Sequence, residues 1–343
     1  MRILFYGGCH AAIMRDHFKE FVRQPIEADC LVNFQLIASG RAFPYDELQR
    51  YERVVFSPIE NKGDYNTDKL VEYCSKAGLQ TVAFPWLEWH GYCPTATKDD
   101  FKGHVEWFYP KLLRRRAEFK TFSDFVEFIV SQYPEDREID DVIEKSTAFL
   151  AASEERNSLD VKISSFIRDE FRRSRLFVTS DHPSITLYLR VMQDIAKAMG
   201  LDFDREKGNI KQNGEWQPEA RTPIFPRVKE RLGLDFDDPQ WRFDARFPGT
   251  TLSLEKYLRF YFHYEGEIAT SKVDTFLLSS ADPDATGREV GAGVRFLLNQ
   301  EDMGETRGLQ RVRIITNLGG EASDAASGHD FFIQKKDWDF QKV

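Results

Sequence analysis

Residues 2–14 read RILFYGGCHAAIM, and the fold is decided here. Ile3 to Tyr6 form an apolar run that halts at Gly7 and Gly8. Cys9 and His10 follow, and a helical pattern begins over Ala11–Val22. A buried strand handing over to a helix through a glycine turn is the start of a βαβ unit. Two further apolar runs, Val54–Phe56 and Thr81–Phe84, each follow a helical segment, Tyr45–Tyr51 and Thr67–Ala77 respectively. Strands separated by helices predict an α/β fold with a parallel sheet as its N-terminal core. Ser57-Pro58 and Pro85 end the second and third strands.

After residue 100 helical patterns dominate, at Val105–Phe119, Phe122–Gln132, Asp140–Glu155 and Asp160–Arg173. In Phe122, Phe125, Val126, Ile129 and Val130 the apolar spacing traces one helix face. A fourth strand is predicted at Leu176–Thr179. It leads through SDHPS (residues 180–184) into a helix over Ile185–Met199 that Gly200 stops. Pro183 suits a first helical turn, which places His182 at that helix's N-terminus. Residues 202–223 are polar and read as loop. TPIFPRVKERLGL (222–234) and LSLEKYLRFYFHY (252–264) are two more helix candidates. From residue 265 the pattern changes: VDTFLLSS, AGVRFLLN, VRIITNL and HDFFIQK are strand-like and separated by glycine and acidic loops. The expected organisation is a large α/β domain over 1–264, much of it helical, and a small β-rich C-terminal extension over 265–343.

Composition narrows the function. With 343 residues, 41% of them hydrophobic, the chain can bury a substantial core, and 29 phenylalanines make that core aromatic. A net charge of −9 argues against global attraction to nucleic acid or to an anionic membrane. No stretch approaches the roughly 20 apolar residues of a membrane span, and the short N-terminal run does not read as a signal peptide. The four cysteines, Cys9, Cys30, Cys74 and Cys93, form no CxxC, and a chain of this size needs no disulfide staples. A reducing, cytoplasmic setting is expected.

In an open parallel sheet, ligands bind beyond the C-terminal ends of the strands. The residues that follow the predicted strands are therefore the candidates. They are Gly7, Gly8, Cys9 and His10; then Ser57 and Pro58; then PWLEWHGYCP (85–94), with His90, Gly91 and Tyr92; then Ser180, Asp181 and His182. A thiol, three histidines and a carboxylate are thus expected on one face. At a strand-to-helix turn Cys9 would lie near unpaired backbone N–H groups, which stabilise a thiolate and can hold an oxyanion or a phosphate. A small packed hydrophobe at a structural turn is the plainer reading of the same residue. His182, with Asp181 beside it, suits a general base, or else a packing histidine. Two tryptophans, a histidine and a tyrosine in the 85–94 loop suit a ligand pocket wall as well as they suit a packed loop. Lys111, Arg114, Arg115 and Arg116 could grip phosphates, or could form a solvated helix face. No Walker loop, GxGxxG, HExxH or deaminase P-C-x-x-C is present, and no metal site is expected.

The same residues, taken in order, resemble the WcbI-type polysaccharide biosynthesis family. The resemblance runs through ILFYGGCHAAI, VVFSPIE, TVAFPWLEWHGYCP and RLFVTSDHPS, over about the first 260 residues. The family's first turn usually reads Gly-Asn-Cys-Gln. Here Cys9 matches, Gly8 takes the asparagine place and His10 the glutamine place. His182-Pro183 and Gly91, Tyr92 and Pro94 match as well. The resemblance implies a capsule or surface-glycan role, a coenzyme A or acetyl-coenzyme A ligand, and acetyl transfer to the hydroxyl of a glycan or nucleotide-sugar acceptor. Cys9, His182, His10 and Asp181 would then be catalytic. Gly7, Gly8, Ser57, His90, Gly91, Tyr92, Arg114 and Arg115 would hold the coenzyme. A non-catalytic coenzyme A- or glycan-binding subunit working with other synthesis proteins is the alternative. The first turn also resembles that of SGNH esterases, with Cys9 in place of the serine, although Asp181-His182 departs from their Asp-x-x-His spacing.

Overall fold

Both faces of the opening strand are covered, which is why its apolar run is unbroken. In the computed structural model β1 (Arg2–Gly7) lies inside a four-stranded parallel sheet with β2 (Glu27–Val32), β3 (Arg53–Phe56) and β4 (Gln80–Ala83), in the order β2-β1-β3-β4. Tyr6 stands opposite Leu31 on one side and Phe56 on the other. Its ring meets Phe43 edge-on at 5.0 Å, in a cluster with Leu4, Leu48, Val54 and Leu70. Phe5 meets Phe18 edge-on at 5.5 Å, from the helix α1 (Cys9–Phe21). The described residues are 1–101, 104–208, 216–217 and 221–238, then 240–242, 251–262 and the strands between 267 and 342.

Two elements differ most from the sequence reading. The fourth strand is β2, not Leu176–Thr179. In β2, Glu27 and Asp29 interrupt the apolar pattern because it is an edge strand, half-exposed along most of its length. Asp29 accepts hydrogen bonds from Arg2 Nη2 at 3.2 Å and from the Tyr51 hydroxyl at 3.0 Å. The 176–184 segment instead closes on itself. Val178 N–H donates to the His182 carbonyl and Ser184 N–H to that of Leu176, both at 2.8 Å. The Arg175 guanidinium donates to the carbonyls of Phe177 and Val178, so these groups are satisfied without a sheet neighbour. Pro183 lies outside the following helix, Ile185–Ala198, whose N-cap is Ser184. The second difference is Val105–Phe119. Residues His104–Phe108 pair antiparallel with Thr97–Phe101, and a helix runs only over Pro110–Arg115. Val105 and Trp107 alternate with His104 and Glu106 in strand period, and Pro110 fits a helix only at its first turn.

The helices α2 (Asn33–Ala38) and α3 (Thr67–Ala77) complete the N-terminal region. The Tyr45–Arg50 segment is 3-10 rather than α. The chain forms two compact units that interleave in sequence. The first comprises Met1–Pro94, Arg137–Pro218 and Leu232–Asp237. Its last segment is tied in by Arg172, whose Nε donates to the Leu232 carbonyl at 2.9 Å and whose carbonyl accepts from Asp235 N–H at 2.8 Å. The second comprises Thr95–Asp136, Glu219–Arg231 and Asp238–Val343. It holds the Phe122–Gln132 helix, N-capped by Thr121, and the Leu254–Phe262 helix, where Tyr261 accepts from the N–H of Tyr109 at 2.9 Å. Beyond 265 the described residues form eight strands with antiparallel pairings, four of them at the strand-like runs read from sequence. Among the described residues no helix is long and apolar enough to cross a membrane.

Candidate functional site

The site lies at the C-terminal edge of the parallel sheet, within the first unit. The buried stripe of α1 is His10, Ala11, Met14, Phe18 and Phe21, the spacing of a core-facing helix side. His10 therefore points inward from the first turn, while Cys9 stays partly exposed. At only 1% exposure the His10 ring must satisfy its polar atoms locally. Its Nε2 lies 2.7 Å from the carbonyl oxygen of Asp181. A carbonyl only accepts, so Nε2 carries the proton and Nδ1 keeps its lone pair. Nδ1 makes no hydrogen bond among the described residues. Burial pushes the imidazole down to about 4; the hydrogen bond to Asp181 and the nearby carboxylates oppose this, and His182 adds to it. His10 is a neutral imidazole at pH 7.

That bond docks the 176–184 loop onto the first helix. Within the loop the Thr179 hydroxyl donates to Asp181 Oδ1 at 3.1 Å and accepts from the His182 N–H at 3.1 Å. His182 Nε2 stands 3.7 Å from Asp181 Oδ1. The carbonyl of Ser180 accepts from Trp89 N–H at 2.7 Å, which ties the loop to the segment after β4 as well. Trp86 lies over the glycine turn. Its ring centroid is 4.4 Å from that of His10. A Cβ built on Gly8 would come within 2.7 Å of the Trp86 ring, so any larger residue there would have to displace the indole. Trp86 Nε1 donates to Glu88 at 3.1 Å, and the other Glu88 oxygen lies 2.9 Å from His90 Nε2. Beside the turn, Ser57 is buried, and its Oγ makes no hydrogen bond among the described residues.

The family model described as "Polysaccharide biosynthesis enzyme WcbI" matches residues 2–204 of this chain. The chain belongs to the WcbI family. A search of curated proteins gave no match. The fold is shared with a solved structure of WcbI, described as a novel polysaccharide biosynthesis enzyme in its native form without a disulfide bond between coenzyme A and one of its cysteines. That structure is 16% identical and superposes with a TM-score of 0.59, covering 77% of this chain and 89% of that one.

Of the residues picked from sequence in this WcbI-family chain, the structure links His10, Asp181 and His182 with the glycine turn, and it joins His90 to the same cluster through Glu88 and Trp86. Tyr92 and Gly91 lie elsewhere. Tyr92 is buried, and its hydroxyl donates toward the carbonyls of Phe171 and Ser174, so it braces the core rather than facing a ligand. Gly91 sits against the Trp89 ring, 2.0 Å from where its Cβ would be. Arg115 belongs to the second unit, where Glu118 holds its guanidinium at 3.0 Å and it lies 4.2 Å over the Phe128 ring. Arg114, in the same unit, is exposed. Sequence reasoning did not single out Glu88, Thr179 or Arg175. Glu88 was legible only as one acidic residue among the aromatics of the 85–94 loop. Among the described residues no group of three His, Cys, Asp or Glu side chains could hold a metal ion.

The neutral His10 has a measurable consequence. Unfolded, it titrates near 6.5; folded, near 4. Between those values the unfolded chain binds a proton that the folded chain refuses. This group therefore leaves stability undiminished above about pH 6.5 and lowers it as pH falls toward 4, by at most about 1.4 kcal/mol per unit. His10→Gln removes the titration and keeps an N–H for the Asp181 carbonyl. Urea melts at pH 7 and pH 4.5 should show a smaller loss for the variant than for the wild type. Equal losses would mean that His10 is not held neutral.

Proposed function

We propose that this chain transfers the acetyl group of acetyl-coenzyme A to a sugar hydroxyl during surface polysaccharide biosynthesis. The observation that carries the reading is the 2.7 Å contact between His10 Nε2 and the Asp181 carbonyl, which joins the His182 loop to the turn bearing Cys9. Family membership places the chain among polysaccharide biosynthesis enzymes. The description of the solved WcbI structure in terms of a coenzyme A–cysteine disulfide supports a coenzyme thiol near a cysteine. Cys9 is the candidate for that place here. Cys74 and Cys93 are buried, and burial pushes the Cys30 thiol up to about 12. The turn also fits a bound acyl group. Backbone N–H groups at the start of α1 suit a developing oxyanion.

In this reading His182 takes the proton of the sugar hydroxyl as that oxygen bonds to the thioester carbonyl carbon. The N–H groups of the turn hold the tetrahedral oxyanion. The carbon–sulfur bond then breaks, and His182 returns its proton to the leaving thiolate. Asp181 favours the imidazolium that exists between the two proton transfers.

The test is acetyl-coenzyme A consumption with and without glycan acceptors, read together with thermal stability and intact mass. Coenzyme A at about 100 times its Kd should add roughly 2.7 kcal/mol to the folded state. Consumption should require an acceptor, and Cys9→Ser should keep activity within about tenfold, because the backbone donors remain. An acetyl adduct on Cys9 that an acceptor discharges would replace direct attack by a covalent relay. Acceptor-independent loss would make the chain an esterase. Binding without consumption would make it an accessory subunit.

A further inference from the structure

Trp86 is 40% exposed, although an indole usually buries most of its surface. It is also held in place. One edge rests on Gly8, its ring lies against His10, and its Nε1–H is committed to Glu88. Three restraints on an exposed aromatic leave an apolar surface in a fixed orientation, ordered before any ligand arrives. The polar groups at its margin are equally defined. The Glu88 carboxylate, itself 41% exposed, receives one bond from Trp86 and one from His90 and retains lone pairs on both oxygens. Asn33 Oδ1 lies 3.9 Å from the place of a Gly8 Cβ, at the same margin.

We infer that Trp86, fixed by Glu88 and Gly8, is the platform on which the acceptor sugar ring lies. A pyranose presents a flat face of C–H bonds and a rim of hydroxyls. An immobile indole beside a carboxylate matches both. The alternative flat ligand is the adenine of coenzyme A. It is set against by position: with the thioester carbonyl at the Cys9 turn, the adenine lies away by the length of the pantetheine arm and a pyrophosphate, whereas Trp86 touches the turn itself. The inference rests on the acetyl-transfer reading for the placing of the thioester, but the platform is testable without turnover.

The experiment uses the full chain and three probes: methyl β-D-glucopyranoside, methyl α-D-mannopyranoside and methyl β-D-galactopyranoside. Saturation-transfer NMR reads their binding, and the melting shift with coenzyme A reads the other ligand. Wild type should bind at least one probe through its C–H protons. Trp86→Ala should weaken that binding about tenfold, corresponding to about 1.4 kcal/mol, with Trp86→Phe between the two and the coenzyme A shift unchanged in all three proteins. An intact coenzyme A shift certifies that the variants fold. Wild type binding none of the probes, or wild type and Trp86→Ala binding them equally, overturns the platform. So does a loss confined to coenzyme A, which would assign the indole to adenine. If Trp86-dependent glycoside binding is found and no acetyl transfer is, the platform stands and the transfer reading fails. If transfer proceeds with unchanged acceptor KM in Trp86→Ala, the reverse holds.

Discussion

His182→Ala should lower the rate of acetyl transfer by about 10²–10⁴ while leaving coenzyme A affinity nearly intact. The size follows from what the side chain does: an imidazole that accepts and returns one proton is lost, while the binding surface stays. The His182 main chain carries structural bonds of the loop: its N–H donates to Thr179 and its carbonyl accepts from Val178. Alanine preserves both. The loop should therefore remain docked, and a normal melting temperature together with a normal coenzyme A shift would show this. His182→Gln supplies a polar group of similar reach that does not titrate in this range, and should be as inactive as alanine. Full activity in either variant would remove His182 from the chemistry and return it to packing.

Gly8→Ala should cost about 1–3 kcal/mol of stability and lower turnover by about 10². The Gly8 backbone is extended, with φ −84°, a conformation open to alanine. The penalty is therefore one of contact alone: the new methyl meets the Trp86 ring at 2.7 Å, at the turn that orients the reacting groups. A second substitution isolates the cause. In a Trp86→Ala background, Gly8→Ala should cost almost nothing in stability, a coupling as large as the single effect. If the cost persists without the indole, the strain lies in the turn itself.

How much of this could be read in the sequence depends on whether the information lay in side-chain patterns. β1, β3, β4 and the helices Thr67–Ala77 and Phe122–Gln132 were legible because apolar runs, helix spacing and flanking glycine or proline all agreed. β2 was hidden because an edge strand needs no unbroken apolar run, and Glu27 and Asp29 interrupt it. His104–Phe108 was mistaken for helix because the arginine-rich helix after Pro110 lent its periodicity to the residues before it. Cys9, His10, Asp181 and His182 were all picked as residues after strands, although 176–179 is no strand of the parallel sheet. Their connection was not legible. The contact that joins them is made to the main-chain carbonyl of Asp181, which any residue type would supply, so no sequence pattern records it. The Gly8–Trp86 contact is similarly silent: nothing in the sequence records that the indole of Trp86 lies against Gly8.

The interleaving of the two units bears on how the polypeptide emerges from the ribosome. All four strands of the parallel sheet are synthesised by residue 83, yet the first unit closes only with Leu232–Asp237 and the Arg172 contacts that hold it. At about 5–20 residues per second, translation takes on the order of ten seconds to span that gap. Throughout it the nascent chain carries unsatisfied apolar surface at its leading end. Part of the second unit is meanwhile threaded between the pieces of the first, so the usual order, in which an N-terminal domain matures before the next is made, is unavailable to this protein. Yield in a foreign host should therefore depend on how well exposed apolar surface is held during synthesis as well as on the final stability of the native state.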